Sequence, residues 1–170
     1  MSMIGNFALA PASRIEALLD DPESVQEYLY PDEAADEDPD PSVHLDVDKA
    51  WHGLHYLFTG TAWEGDAPLN FIVSGGEEIG DVDLGYGPGR AFTPAEVKRI
   101  DAALQKLDPD ELRRRFNPAQ MKELKIYPDI WDRPPEQDDT LGYLLEYFGK
   151  LKPFIHKGAQ DGLGLLVYVN

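Results

Sequence analysis

The chain has 170 residues, enough for one domain that buries a core of its own. Its apolar share of 42% fits a folded protein, and the lack of cysteine excludes disulfides, thiolate nucleophiles, zinc–sulfur sites and iron–sulfur clusters. The formal net charge of −17 sets an acidic surface against phosphate backbones, so direct nucleic-acid binding is disfavoured and a basic protein partner would be attracted, while solubility alone also accounts for such a charge.

Met3 to Leu9 is short and apolar and suits a buried strand. Met1 to Pro11 lacks a basic n-region, and Gly5 and Asn6 interrupt its apolar residues, so no signal peptide is expected. Ser13 followed by Glu16 has the pattern of a capping box, with Ile15, Leu18 and Leu19 as the apolar face of a short helix. Asp21-Pro22 predicts a second helix carrying Val25, Tyr28 and Leu29, ended by Pro31.

Charge is concentrated early. Residues 1–48 hold 13 acids and only Arg14, a net −12, and residues 49–170 hold 14 basic and 19 acidic residues, a net −5. The densest part is an acidic loop over about 31–42, with nothing to bury. Asp36, Asp38 and Asp40 alternate as a calcium loop begins, but Pro41 stands where glycine is needed and Val47 where the closing glutamate belongs, so an EF-hand is rejected.

His44 to Gly60 (HLDVDKAWHGLHYLFTG) is the richest stretch for chemistry. Asp46 or Asp48 is expected to cap a helix from Lys49 to about Phe58, stopped by Thr59-Gly60. Trp51, Leu54, His55 and Phe58 then share one face, with His52 and Tyr56 beside it. Asn70 to Ser74 is a brief apolar run, β-like or helical. Gly75 to Arg90 holds six glycines in a long irregular connection; its glycine spacing matches neither a dinucleotide fingerprint nor a Walker loop.

Three helix starts follow at Thr93-Pro94-Ala95-Glu96, Asp108-Pro109-Asp110-Glu111 and Asn117-Pro118-Ala119-Gln120. Each combines a cap, a first-turn proline and an acid or amide at the third helical position. Gln137 to Ile155 predicts a long helix that Pro153 kinks or ends. Asp161-Gly162 turns into Leu163 to Val169, a strand buried on both faces. The expected class is α+β: one compact domain over 1–170, mostly helical, with a small sheet that includes the N- and C-terminal strands. No stretch approaches the roughly 20 apolar residues of a membrane span, so a cytoplasmic location is expected.

The candidate pocket comprises Asp46, Asp48, Trp51, His55, Tyr86 and Arg90. Trp51 would supply an aromatic wall and His55 a titratable group. The glycine-rich loop would bring in Tyr86 and Arg90, the latter to hold the negative group of a planar or anionic ligand. The alternative makes Trp51 and His55 core residues and leaves Asp46 and Asp48 as caps, with Lys49 pairing locally. Asp48, His52 and His55 sit at i, i+4 and i+7, but HxxH lacks the glutamate of HExxH sites, so neither a metal nor a cofactor is assigned. None of the five serines lies in G-x-S-x-G.

MSMIGNF, LDVDKAWHGLHYLFTG, GYGPGR and Ile126-Tyr127-Pro128 followed by Trp131, in this order, resemble the YfbM-like family of bacterial proteins of unknown function over nearly the whole chain. The acidic loop is the departure. The resemblance implies a compact α+β cytosolic domain and transfers no catalytic residue. Two expectations remain: a non-enzymatic acidic binding module for a basic protein partner, of the inhibitor or immunity type, or a small-molecule-binding protein or enzyme built on Trp51, His55, Tyr86 and Arg90.

Overall fold

The computed structural model describes residues 2–32 and 37–170, so part of the acidic loop, including Asp36 of the rejected calcium pattern, lies outside the described residues. The fold is α+β. Strand β1 (Gly5–Ala10) leads to α1 (Ala12–Asp20), a 3-10 turn (Pro22–Ser24) and α2 (Val25–Leu29). Then come β2 (His44–Asp46), a second 3-10 turn (Asp48–Ala50), α3 (Trp51–Thr59), β3 (Glu77–Glu78) and β4 (Arg90–Phe92). The second half is α4 (Pro94–Gln105), α5 (Pro109–Arg115), α6 (Pro118–Glu123), α7 (Thr140–Gln160) and β5 (Gly164–Val169).

The strands form one antiparallel sheet in the order β2-β1-β5-β4-β3. The two ends of the chain are therefore neighbours at its centre, paired from Gly5 with Val169 to Ala10 with Gly164. Period-two alternation divides the buried side chains between two faces. Phe7, Leu9, Phe92, Leu165 and Val167 join α3, α4 and α7 in the larger core. Ala8, Ala10, Ala91, Leu166 and Tyr168 join Ile15, Leu18 and Val25 from α1 and α2 in the smaller one. Both faces of the sheet are covered, which is why β5 reads as an unbroken apolar run.

The three proline-marked helices begin where their capping chemistry predicts. Thr93 and Glu96 form a reciprocal capping box; the Asp108 and Asn117 side chains accept from the backbone N–H groups of Glu111 and Gln120.

Other boundaries differ. Pro11 stands at the N-cap of α1, and Ser13 lies inside the helix with no capping bond. Asp21-Pro22 opens a 3-10 turn before α2. Residues 70–74 are turns, and the irregular connection contains β3. Asp46 is in β2 and caps no helix; its Oδ1 accepts the Asp48 N–H at 3.1 Å, and α3 starts without a side-chain cap. Helix α7 starts later than expected and passes through Pro153 to Gln160. The carbonyl deprived of its donor there belongs to Gly149, which is exposed, as Pro153 is, so water meets the need that a buried carbonyl could not.

Helix α3 is buried on every side from Trp51 to Phe58, so it has no polar face. Gly53 makes this possible. A Cβ there would come within 2.7 Å of Leu144 and 3.0 Å of Trp131, so the close approach of α7 and the Trp131 indole requires glycine. Gly60 closes α3 at φ 76°, and Arg115 donates to the Leu57 and Phe58 carbonyls that the helix end leaves over.

Candidate functional site

The two histidines of α3 are fully buried and spend their polarity internally. His52 Nδ1 accepts the Tyr127 N–H at 2.8 Å, so the ring carries its proton on Nε2, which meets the Ala62 carbonyl at 2.7 Å. It thereby ties the loop after α3 to the Tyr127 turn. His55 Nε2 lies 3.2 Å from Thr59 Oγ1 and 3.4 Å from Thr61 Oγ1. Both hydroxyls donate elsewhere, to the His55 and Glu64 carbonyls, so they accept from Nε2–H. His55 Nδ1 is then a buried acceptor with no partner among the described residues. Burial first, then the repulsion a protonated His52 would exert and the charge of Arg90, pull the ring's pKa down to about 4 against a backbone bond with Glu64, so it is neutral at pH 7.

Trp51 donates its indole N–H to the Met3 carbonyl at 3.0 Å and stacks on His52 and Tyr127, with centroids 5.0 and 5.8 Å away. Trp63, in the loop after α3, covers this stack. Its ring is 4.3 Å from His52 and 6.1 Å from Trp51, yet 60% of the residue is exposed.

Beside this stack a hollow of about 280 Å³ opens at the end of β5, with Trp51, Trp63, Glu78, Tyr86 and Arg90 in its wall. The glycine-rich loop sets Tyr86 there. Asp83 Oδ1 accepts the N–H groups of Gly85 and Gly87 at 2.9 and 3.0 Å, and the Tyr86 N–H donates to the Val169 carbonyl. Gly85 has φ 138°, and a Cβ would lie 2.7 Å from the Asn170 backbone, so the bend requires glycine. Glu78 pairs with Arg90 across the β3–β4 ladder, which points both side chains to one face.

Arg90 differs from the anion clamp predicted for it. Its Nη1 donates to the carbonyls of Ser74 and Gly75 at 2.5 and 3.0 Å, and its Nη2 to those of Phe71 and Ile72 at 3.0 and 2.7 Å. All four terminal N–H donors are consumed in holding the 71–75 turns. Burial lowers its pKa to about 10, which leaves it charged at neutral pH.

Of the six predicted residues, Trp51, Tyr86 and Arg90 meet in the hollow, and His55, Asp46 and Asp48 lie outside it. Asp48, at φ 49°, accepts the Tyr143 hydroxyl at 2.8 Å, and the Lys49 N–H donates to the same hydroxyl. Burial first, then this carboxylate, pushes the Tyr143 pKa up. Among the described residues no group of three or more His, Cys, Asp or Glu is arranged to hold a metal ion. The sequence reading missed Trp63 and Glu78. A tryptophan isolated in the polar loop TAWEGD, with no apolar periodicity to bury it, was the available signal for the first.

Two further open hollows adjoin each other through Tyr30 and Asp32. One, of about 690 Å³, includes Tyr28, Tyr30, Asp32, Glu37, Asp38 and Asp40; its neighbour, of about 620 Å³, shares Tyr30 and Asp32 and adds Glu27 and Asp83. Neither has a lysine or arginine among its described lining residues. Tyr30, 47% exposed, stands edge-on to Tyr168, whose hydroxyl meets His44 Nε2 at 3.1 Å.

Fold and surface together define a small α+β protein whose terminal strands pair inside a five-stranded antiparallel sheet and whose hollows around Tyr30 and Trp63 are acidic and aromatic. The chain belongs to the family described as a domain of unknown function, DUF1877, whose family model matches residues 1–168. It is 32% identical to protein YfbM of Escherichia coli (strain K12) over 141 residues, which covers 76% of this chain and 75% of that protein. The crystal structure of a protein of unknown function, YfbM from Escherichia coli, superposes with a TM-score of 0.74 at 24% identity, covering 98% of this chain and 99% of that one. The YfbM-like resemblance of the sequence motifs is thus a family membership, and the names of these relatives carry no activity.

Proposed function

We propose that the protein is a cytoplasmic, non-enzymatic binding module that covers a basic surface of a protein partner. The carrying observation is the pair of adjoining hollows, in which Glu27, Asp32, Glu37, Asp38, Asp40 and Asp83 stand around Tyr30 with no lysine or arginine among the described lining residues of either. Like charges held together on an open surface repel one another, and a cationic partner relieves that repulsion while steering its own approach. The same field disfavours nucleic acid. Absence of cysteine suits a reducing compartment, and no helix among the described residues is long and apolar enough to cross a membrane.

The small-molecule reading has in its favour that Trp51, Tyr86 and Arg90 line one hollow; against it, the four terminal donors of Arg90 are consumed and His55 is not in the lining of that hollow. The test is titration with a lysine- and arginine-rich peptide at increasing salt. Affinity should fall by about tenfold or more between about 50 and about 200 mM salt, and binding indifferent to ionic strength would overturn the proposal.

A further inference from the structure

We propose that the hollow between Trp63 and Tyr86 is an anchor pocket for one arginine side chain of the partner; this rests on the binding-module reading and names what that surface grips. Among the described residues Trp63 and Tyr86 are two of the three large apolar residues left exposed, at 60% and 44%, and neither the indole N–H nor the phenol hydroxyl has a partner there. Isolated aromatic faces of this kind at a concave site are the usual anchors of an interface. Glu78, on the same wall, takes no hydrogen bond or ion pair among the described residues, and its ladder position sets it beside Arg90.

The pocket therefore offers aromatic faces and a carboxylate that favours the Arg90 charge across the ladder without bonding to it, while Arg90, the one lysine or arginine among its described lining residues, has its four terminal donors directed into the carbonyls of the 71–75 turns. It can accept hydrogen bonds from a cation and cannot grip an anion through a guanidinium fork. The planar guanidinium is the better match than an ammonium, because it stacks on indole and phenol rings, bonds a carboxylate through two parallel N–H groups and sheds water more readily. Placement agrees with this. The Asp83–Pro88 loop forms part of an acidic hollow with Asp83 and Leu84, and part of the aromatic one with Tyr86 and Pro88, so a single partner can engage both.

The test uses fluorescence anisotropy with two labelled peptides, one alternating glycine with arginine and one alternating glycine with lysine, on the full chain. Expected is tighter binding of the arginine peptide by about threefold to tenfold, and a loss of about tenfold for that peptide in Trp63→Ala and in Glu78→Gln. Both residues are exposed, so folding should survive, and unchanged circular dichroism checks it. The triple variant Asp32→Asn, Asp38→Asn, Asp40→Asn separates the two ideas. If it alone weakens binding, the anchor is overturned and the acidic-module reading stands. If only the Trp63 and Glu78 variants weaken binding, the anchor stands and the acidic reading falls. Equal affinity for the two peptides in every variant overturns the arginine assignment, and no binding of either overturns both.

Discussion

At the scale of single residues, the buried polar groups decide what the α3 region is for. His55 is neutral and unexposed in the fold, whereas in the unfolded chain it titrates near the ordinary value of 6.5. Between about 4 and 6.5 the unfolded state binds more protons, so stability is complete above that window and falls as pH drops through it. The full effect is about 3 kcal/mol. Urea denaturation at pH 7 and pH 4.5 should show His55→Leu losing about 2 kcal/mol less than the unsubstituted protein over that interval. Equal losses would mean that the histidine is not held neutral. Arg90 makes a second case. Lysine keeps the charge but cannot reach four carbonyls, so Arg90→Lys should destabilise by about 2–4 kcal/mol. A wild-type urea midpoint for that variant would show the turns to be held by something else.

Elements were legible where local chemistry is sufficient and illegible where it is not. Thr93, Asp108 and Asn117 cap their helices as the sequence pattern predicts, because a cap needs only the next three residues. Ser13 carries the same pattern and caps nothing, since Pro11 starts the helix first and Ser13 falls inside it. Thr93→Ala should accordingly cost about 1 kcal/mol in thermal or chemical denaturation, and Ser13→Ala should cost nothing measurable.

The geometry around the candidate site was only partly legible in the sequence, for a related reason. Exposure and donor saturation are tertiary properties: nothing in GYGPGR says that the Arg90 donors end on carbonyls 15 to 19 positions away. Periodicity assigned Trp51 and His55 a shared face, yet α3 is enclosed on all sides because Gly53 admits α7 and Trp131. Gly53→Ala should therefore destabilise by about 1–3 kcal/mol despite alanine's better helix propensity; a stabilised variant would show that the contact yields.

On the scale of the whole molecule, the joining of the chain's two ends is the organising fact. The composition of β1 and β5 marked each as a buried strand, but that they pair with each other at the centre of the sheet is a long-range choice that neither segment encodes alone. β5 lies between β1 and β4, and the Ile4 and Asn170 backbones exchange two further bonds beyond the ladder, at 2.8 and 3.1 Å. Leu165, Leu166, Val167 and Tyr168 are each at most 4% exposed. Burying a large side chain contributes about 1.5–3 kcal/mol, so these four together rival the about 5–15 kcal/mol that a whole domain has in hand. Removing β5 would also strip the ladder bonds from β1 and β4 and open both cores. A chain ending at Gly162 should lose its near-ultraviolet aromatic circular dichroism and its cooperative thermal transition, and addition of the missing segment as a peptide should restore part of the signal. A truncated chain that melts sharply, within a few degrees of the full one, would show that the helices on the two faces hold together without the strand that joins them.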